Sequence, residues 1–331
     1  MVDVHCIDAG HGDCILIVSN DVRILIDSGP KSFKVSRQVS QAISHLAPDG
    51  IIDLAIVTHN DDDHIGGFKY LIKNDVITPV KILFNSVEVL NSLINKNGKK
   101  ISYKQDGELY KILESKGIGL ISKSYRKDVS EVITVGDLKV TVIAPNEDGL
   151  REFERWKKNK EIESFKVKIS SLKHRDVSIL SCLENFKEDL FVEDNSSTNR
   201  SSIAVVIENE IFRGLFLGDA HAKDIVSFFN ENKNFRRDFD LVKISHHGSE
   251  RNTSQELLNI LECNNFVICS NKRDGHKHPD SMLIARIVSV KPNAFLHFTS
   301  KSDELLRFLS GIEDMVKLNF PTSGINSIKY V

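Results

Sequence analysis

Thr58-His59-Asn60-Asp61-Asp62-Asp63-His64-Ile65-Gly66-Gly67 follows directly on an apolar, strand-like run from Ile51 to Val57. Two histidines and three aspartates fall within the six residues from His59 to His64. Held that close and taken out of water, such groups repel one another unless a cation sits among them. An acidic cap for a helix starting near Ile65 would account for Asp62 or Asp63. It accounts for neither His59 nor the Gly66-Gly67 pair. The run therefore reads as metal-binding and sits at the carboxyl end of a strand, where open α/β sheets place their sites. The following helix is expected to turn its positive end toward that site, favouring hydroxide or phosphate there.

Upstream, Val4 to Ile7, Cys14 to Val18 and Val22 to Ile26 read as strands. Asp8-Ala9-Gly10-His11-Gly12-Asp13 joins the first two, and Asp27-Ser28-Gly29-Pro30 ends the third. The glycines suit tight turns near a pocket. Asp13 and Asp27 suit turn capping or a place behind a ligand histidine, and Asp27 favours the latter. Val35, Val39 and Ile43 recur at helical spacing, which predicts a helix over about Ser36 to Leu46. A strand at Val80 to Phe84, helices at Val87 to Lys96 and Gly107 to Ser115, and a hairpin of Val132–Val135 with Leu138–Ile143 follow.

Residues 146–198 break this pattern. They are charged and hold the only tryptophan, Trp156, with Phe153, Phe165, Phe186 and Phe191 spaced between charges. Lys157, Lys158, Lys160, Lys166, Lys168 and Lys173 make the stretch locally basic. It reads as a partly helical insertion over one rim of the pocket, either a solvated elaboration or a lid or partner surface. Strand–helix alternation then returns, with strands at Ile203–Ile207, Ile211–Leu217, Leu241–Ile244, Phe266–Cys269 and Ala294–Phe298. Two similar halves separated by an insertion suit an αββα sandwich, a single α/β domain over residues 1–331. Two more strand ends carry chemistry. Gly218-Asp219 places a carboxylate where it can bridge two cations or cap the next helix. Ser245-His246-His247-Gly248-Ser249 places a histidine pair.

Together these runs resemble the metallo-β-lactamase fold. His59, Asp61, Asp63 and His64 stand at the positions of its His-x-His-x-Asp-His signature, with Asp61 replacing the second histidine. That variant resembles the soluble domain of ComEC-type competence proteins, and the downstream motifs are similar to the phosphorylcholine esterase branch. The fold's opening Asp-x-Gly-x-Gly-Asp and Asp-x-Gly motifs match Asp8, Gly10, Gly12, Asp13 and Asp27, Gly29. The resemblance implies Asp219 as bridging ligand and His247 as ligand, with His246 behind it or facing substrate. The fold's further histidine, between the first motif and the bridging aspartate, has only His174 as a candidate, inside the insertion. Asn199-Arg200-Ser201-Ser202 stands there instead, similar to a ComEC-like Asn/Ser motif, which puts Asn199 and Ser202 near substrate. Gly275-His276-Lys277-His278-Pro279 is similar to a Gly-His-Pro-His-Pro stretch, with Lys277 departing from it. His276 or His278 could bind phosphate or protonate a leaving oxygen.

The ligand sets implied are His59, Asp61 and shared Asp219, aided by Asn199 or water, for one metal, and Asp63, His64, His247 and Asp219 for the other. The nitrogen-and-oxygen second set suits zinc. The oxygen-richer first set tilts toward manganese or magnesium. Three ligand carboxylates, two divalent ions and one hydroxide sum to neutral; with a single ion the site stays negative and repels phosphate. An anionic substrate thus requires both ions, and a hydroxide held by them is the expected nucleophile.

The 331 residues allow a large buried core, and a net charge of −2 gives no global field attracting nucleic acid. The five cysteines, Cys6, Cys14, Cys182, Cys263 and Cys269, include no C-x-x-C pair. That suits a reducing cytoplasm better than a disulfide framework. No signal peptide is legible at Met1-Val2-Asp3-Val4-His5. No apolar run approaches the ~20 residues that span a bilayer, so membrane insertion is not expected. The expected function is metal-dependent hydrolysis of a phosphodiester such as DNA, as phosphodiesterase or nuclease. The alternatives are a lactam, lactone or thioester hydrolase, and an effector that needs a protein partner at the 146–198 insertion.

Overall fold

The computed structural model describes residues 1–86, 89, 104–122, 132–153, 155, 177–186, 190–273 and 277–331. Its strands in chain order are β1 (Val2–Ile7), β2 (Ile15–Ser19), β3 (Val22–Ile26), β4 (Ile51–Val57), β5 (Thr78–Phe84), β6 (Gly119–Ile121), β7 (Val132–Val135), β8 (Leu138–Ala144), β9 (Ala204–Glu208), β10 (Arg213–Phe216), β11 (Leu241–Lys243), β12 (Asn265–Ile268), β13 (Phe295–Phe298), β14 (Lys317–Asn319) and β15 (Ile325–Tyr330). Among the described residues they form two sheets, ordered β15-β1-β2-β3-β4-β5-β6 and β14-β13-β12-β11-β10-β9-β8-β7.

The halves repeat one scheme. Strands β1 to β3 pair antiparallel, and β3 to β6 then run parallel. In the second sheet β8 to β10 pair antiparallel, and β10 to β14 then run parallel. The sheets bury Val4, Cys6, Ile24, Leu54, Val205 and Phe216 between them. The outer face of the first packs Val39, Ile43, Phe68, Leu71 and Leu109 from the helices Phe33–Leu46, Phe68–Lys73 and Lys104–Lys116. The outer face of the second packs Ile225, Phe228, Leu257 and Ile284 from the helices Ala222–Glu231, Gln255–Ile260 and Ser281–Val290. This is an αββα sandwich. Strands buried on both faces read as continuous apolar runs, which is why β4 and β9 were plain in the sequence.

Several elements differ from expectation. The helix expected near Ile65 starts at Asp62, stops after Ile65 and resumes at Phe68. A β-carbon on Gly66 would collide with the Lys31 amide, and one on Gly67 with the Ser28 carbonyl. The Gly-Gly pair therefore admits the turn after β3 against the metal run. A single turn sums few peptide dipoles, so little of the expected positive helix end remains. Strands β6, β14 and β15 were not anticipated; β15 buries only Asn326, exposes Ser327 and Lys329, and pairs with β1. The expected helix Val87 to Lys96 lies outside the described residues, apart from Val89. Ala144 pairs with Ala204 across β8 and β9, so the chain between them leaves and returns at one end of the sheet. Within that stretch the described helices are 147–153, Ile179–Glu184 and Ser197–Arg200. All five cysteines are buried and free. Among the described residues no helix is long and apolar enough to cross a membrane.

Candidate metal centre

Parallel neighbours β3 and β4 in one sheet, and β10 and β11 in the other, release the chain at their carboxyl ends. Asp27 follows β3, the run from His59 to His64 follows β4, Asp219 follows β10, and His246 and His247 follow β11. The topology thus delivers side chains from both halves to one place.

The Nε2 atoms of His64 and His247 lie 3.2 Å apart. Nε2 of His64 is 3.3 Å from Oδ1 of Asp219 and 3.9 Å from Oδ1 of Asp63. Nε2 of His247 is 3.2 Å from Oδ2 of Asp63 and 3.6 Å from Oδ2 of Asp219. A tetrahedron with metal–ligand bonds of about 2.0–2.1 Å has edges of about 3.3 Å, which these separations suit. Beside this quartet, Nε2 of His59 is 3.6 Å from Oδ2 of Asp61 and 3.8 Å from Oδ2 of Asp219. That His59 nitrogen is buried and has no hydrogen-bond partner. Leaving such an atom unpaired costs about 1–3 kcal/mol, which a coordinated cation would remove. The donors present therefore fit two divalent ions sharing Asp219.

Each ligand histidine of the quartet is held from behind. Nδ1 of His64 lies 2.8 Å from Oδ2 of Asp27, which also accepts from the Thr58 hydroxyl at 2.7 Å. Nδ1 of His247 lies 3.1 Å from Oδ1 of Asp13 and 3.1 Å from the Cys269 carbonyl. Asp13, His64, Asp219 and His247 place ligand atoms within 4.8 Å of one another. Asp13 nevertheless faces the Nδ1 side of His247, while Asp63 faces the Nε2 side. Asp63 thus stands where a fourth donor would, and Asp13 where a carboxylate would orient the ring. Asp13 also binds the ammonium of Lys243, which donates to the Gly218 carbonyl at 2.9 Å. Asp13 and Lys243 are each about 1% exposed.

Burial alone would depress the His247 imidazole, but Asp219 and Asp13 outweigh it and hold it up at about 10. Burial is likewise overcome at His64 by Asp219 and Asp27, which raise that ring well above its ordinary value. Burial would raise the Asp219 and Asp63 carboxyls, yet His64 and His247 pull both down. The metal-free cluster thus holds protons where it would hold cations. His246 and His247 have φ of 49° and 54°, a left-handed region that costs side-chain-bearing residues about 1–3 kcal/mol.

The remaining expected residues are placed as follows. His246 lies with Nε2 3.7 Å from Oδ2 of Asp219. Asn199 is buried and donates to Oδ2 of Asp194 at 2.7 Å. Ser202 is fully buried, and its hydroxyl accepts the Asp219 amide at 2.9 Å, a place supporting Asp219 rather than facing substrate. His278 sits edge-on to His246, ring centres 5.2 Å apart, with Nδ1 3.2 Å from Oδ1 of Asp280. His276 and His174 lie outside the described residues. Sequence reasoning passed over Thr58, Lys243, Asp194 and Asn252. A lone lysine inside the apolar run Leu241–Ile244 was a usable signal for Lys243; Asp194 and Asn252 sit in polar loops that carry none.

The Metallo-beta-lactamase superfamily model matches residues 7–270. ComE operon protein 3 of Bacillus subtilis (strain 168) is 22% identical over 297 residues, covering 85% of this chain and 30% of that protein. The chain thus spans under a third of that relative's length. Among solved structures, the metallo-beta-lactamase fold protein YhfI from Bacillus subtilis is 10% identical with a TM-score of 0.46, covering 99% of this chain and 100% of that one. Igni18, a metallo hydrolase from Ignicoccus hospitalis, is 11% identical with a TM-score of 0.46, covering 99% and 100%. The family model alone takes in more than half of the sequence, including every strand end that bears a candidate ligand. The chain belongs to the metallo-beta-lactamase superfamily.

Proposed function

We propose that the chain is a metal-dependent hydrolase of phosphodiesters, with DNA or a related polymer as substrate. The observation that carries this is the convergence of His59, Asp61, Asp63, His64 and His247 on the shared carboxylate of Asp219. Divalent ions bound there would lower the pKa of an attacking water and draw charge from a phosphoryl oxygen. The chain's own groups do the rest. Asp27 and Asp13 hold His64 and His247 with Nε2 turned inward. The Lys243 ammonium offsets the Asp13 charge, so that carboxylate adds nothing to the field met by an anion. His278, with Asp280 beside its Nδ1, would offer its other nitrogen to the leaving oxygen.

A cleft of about 720 Å³ opens beside Asp62 and is lined by Lys31, Lys34, Lys301 and Arg273. Asp8, Asp62 and Asp303 also line it. Two of these carboxylates accept main-chain amides, Asp8 from Gly10 and Asp62 from Lys31, which spreads their charge. Arg273 is paired with Glu304, and the lysines on that wall support a substrate whose phosphates continue past the scissile one on that side. The choice of phosphodiester over lactam or thioester also rests on the Asp61 variant and on the ComEC-type motifs. The ComE relative is a much longer protein, so its biological setting is not carried over.

The test is turnover of bis-p-nitrophenyl phosphate, single-stranded DNA, duplex DNA and RNA with added manganese or zinc. Turnover should require metal and disappear in Asp63→Ala and His247→Ala. Hydrolysis of nitrocefin or a lactone with none of these phosphodiesters would overturn the substrate class. Full metal occupancy without turnover of any substrate would favour a partner-dependent effector.

A further inference from the structure

We propose that His246 is the fourth ligand of the metal position formed by His59, Asp61 and Asp219, the place that a histidine ahead of Asp219 takes in the fold's usual pattern. The proposal rests on the metal-centre reading above, not on the choice of substrate.

Asp194 lies in the loop before the helix Ser197–Arg200. Its Oδ2 accepts from Nδ2 of Asn199 at 2.7 Å and from Nδ2 of Asn252 at 3.2 Å. An ionised carboxylate only accepts, so the amide nitrogen of Asn252 must face it. The same nitrogen donates to the main-chain carbonyl of Asp219 at 3.2 Å, which also only accepts. Two acceptors thus fix the orientation of the Asn252 amide. Its oxygen then faces His246, 2.9 Å from Nδ1. An amide oxygen accepts, so Nδ1 of His246 carries the ring proton and Nε2 presents a lone pair. Asn199 Nδ2 also approaches Nδ1, at 3.4 Å, too long to compete with the bond to Asn252.

That lone pair meets a carboxylate. Nε2 of His246 is 3.7 Å from Oδ2 of Asp219, and the same oxygen is 3.8 Å from the unpartnered Nε2 of His59. The Thr58 hydroxyl donates to Asp27, so its oxygen accepts from Nδ1 of His59 at 3.1 Å and leaves Nε2 of that ring a lone pair too. Two imidazole lone pairs facing one carboxylate oxygen repel it unless a cation or a proton stands among them. Left-handed backbone at both His246 and His247 lets adjacent side chains serve neighbouring metals, and the strain is kept because each is needed. A second imidazole also makes this position less oxygen-rich, so zinc should occupy it as readily as manganese.

Metal content after equilibrium dialysis tests this without reference to turnover. Wild type should hold two zinc ions per chain. His246→Ala, and His246→Asn, which tolerates the left-handed backbone, should keep one at unchanged affinity and bind the other at least ~10-fold more weakly. Asn252→Ala should weaken the same ion, because the tautomer is no longer imposed. Two ions held at wild-type affinity in both His246 variants would overturn the proposal, as would loss of that ion in Asn199→Ala but not in His246→Asn. Fewer than two ions in wild type would sink the metal-centre reading itself, a distinct outcome.

Discussion

Nδ1 of His64 lies 2.8 Å from Oδ2 of Asp27, and neither side chain has any exposed surface. The two residues come from the ends of adjacent strands, β3 and β4. The carboxylate fixes which nitrogen of His64 is free for a metal and raises its basicity. Asp27→Asn keeps the size and one acceptor but loses the charge. Metal affinity should fall by about 10–100-fold with the fold retained. Competition with a chromogenic chelator measures this, and unchanged affinity would remove Asp27 from the centre.

Lys243 and Asp13 form an ion pair inside the sandwich, under the loop that bears His247. Lys243→Met would leave the buried Asp13 carboxylate with only the His247 ring as cationic partner, a loss of up to about 3–5 kcal/mol for a broken buried pair. The double variant Lys243→Met with Asp13→Asn should recover part of it, since the carboxylate that lost its ammonium is then neutral. Urea unfolding of the metal-free proteins reads both values. A double variant no better than the single one would contradict the pairing.

The protonated cluster gives metal uptake a definite pH dependence. The His247 ring is raised from 6.5 to about 10 in the metal-free protein. Its contribution to stability is fully present below pH 6.5 and is lost as pH rises through about 10. Zinc requires the neutral ring, so binding must release protons and strengthen with pH. The rise in melting temperature on adding zinc should therefore grow between pH 6.5 and 9. Matched scans with and without zinc test the sign; a gain that shrinks with pH would refute it.

Gly218 has φ of 52°, and a β-carbon there would strike the Ser202 hydroxyl and press on Thr58. Both contacts support the centre, Ser202 through the Asp219 amide and Thr58 through Asp27. Gly218→Ala should destabilise the protein by at least about 1–3 kcal/mol and weaken both ions. Thermal unfolding with metal titration separates the two effects. A variant with wild-type stability would show that the turn can relax.

The residues with the densest chemistry were legible because their chemistry is local. Five potential ligands within His59–His64 need no fold to be noticed. Strands buried on both faces, such as Ile51–Val57, announce themselves as unbroken apolar runs. Weak edges did not: β15 reads as polar alternation and is a strand because β1 offers it a partner. Lys243 sits inside an apolar strand, and only folding brings Asp13, 230 positions earlier in the chain, against it.

The sequence alone determined the αββα class, the metal run and the strand ends that carry Asp219 and His247, since periodicity and ligand spacing are properties of neighbouring residues. Tertiary structure decided which nitrogen of each histidine faces inward, that Asp13 stands behind His247 while Asp63 stands before it, and that Asn252 and Asp194 reach His246. Those assignments depend on distances of about 3 Å between residues far apart in the chain, and hydrogen bonds are made or lost within a few tenths of an ångström.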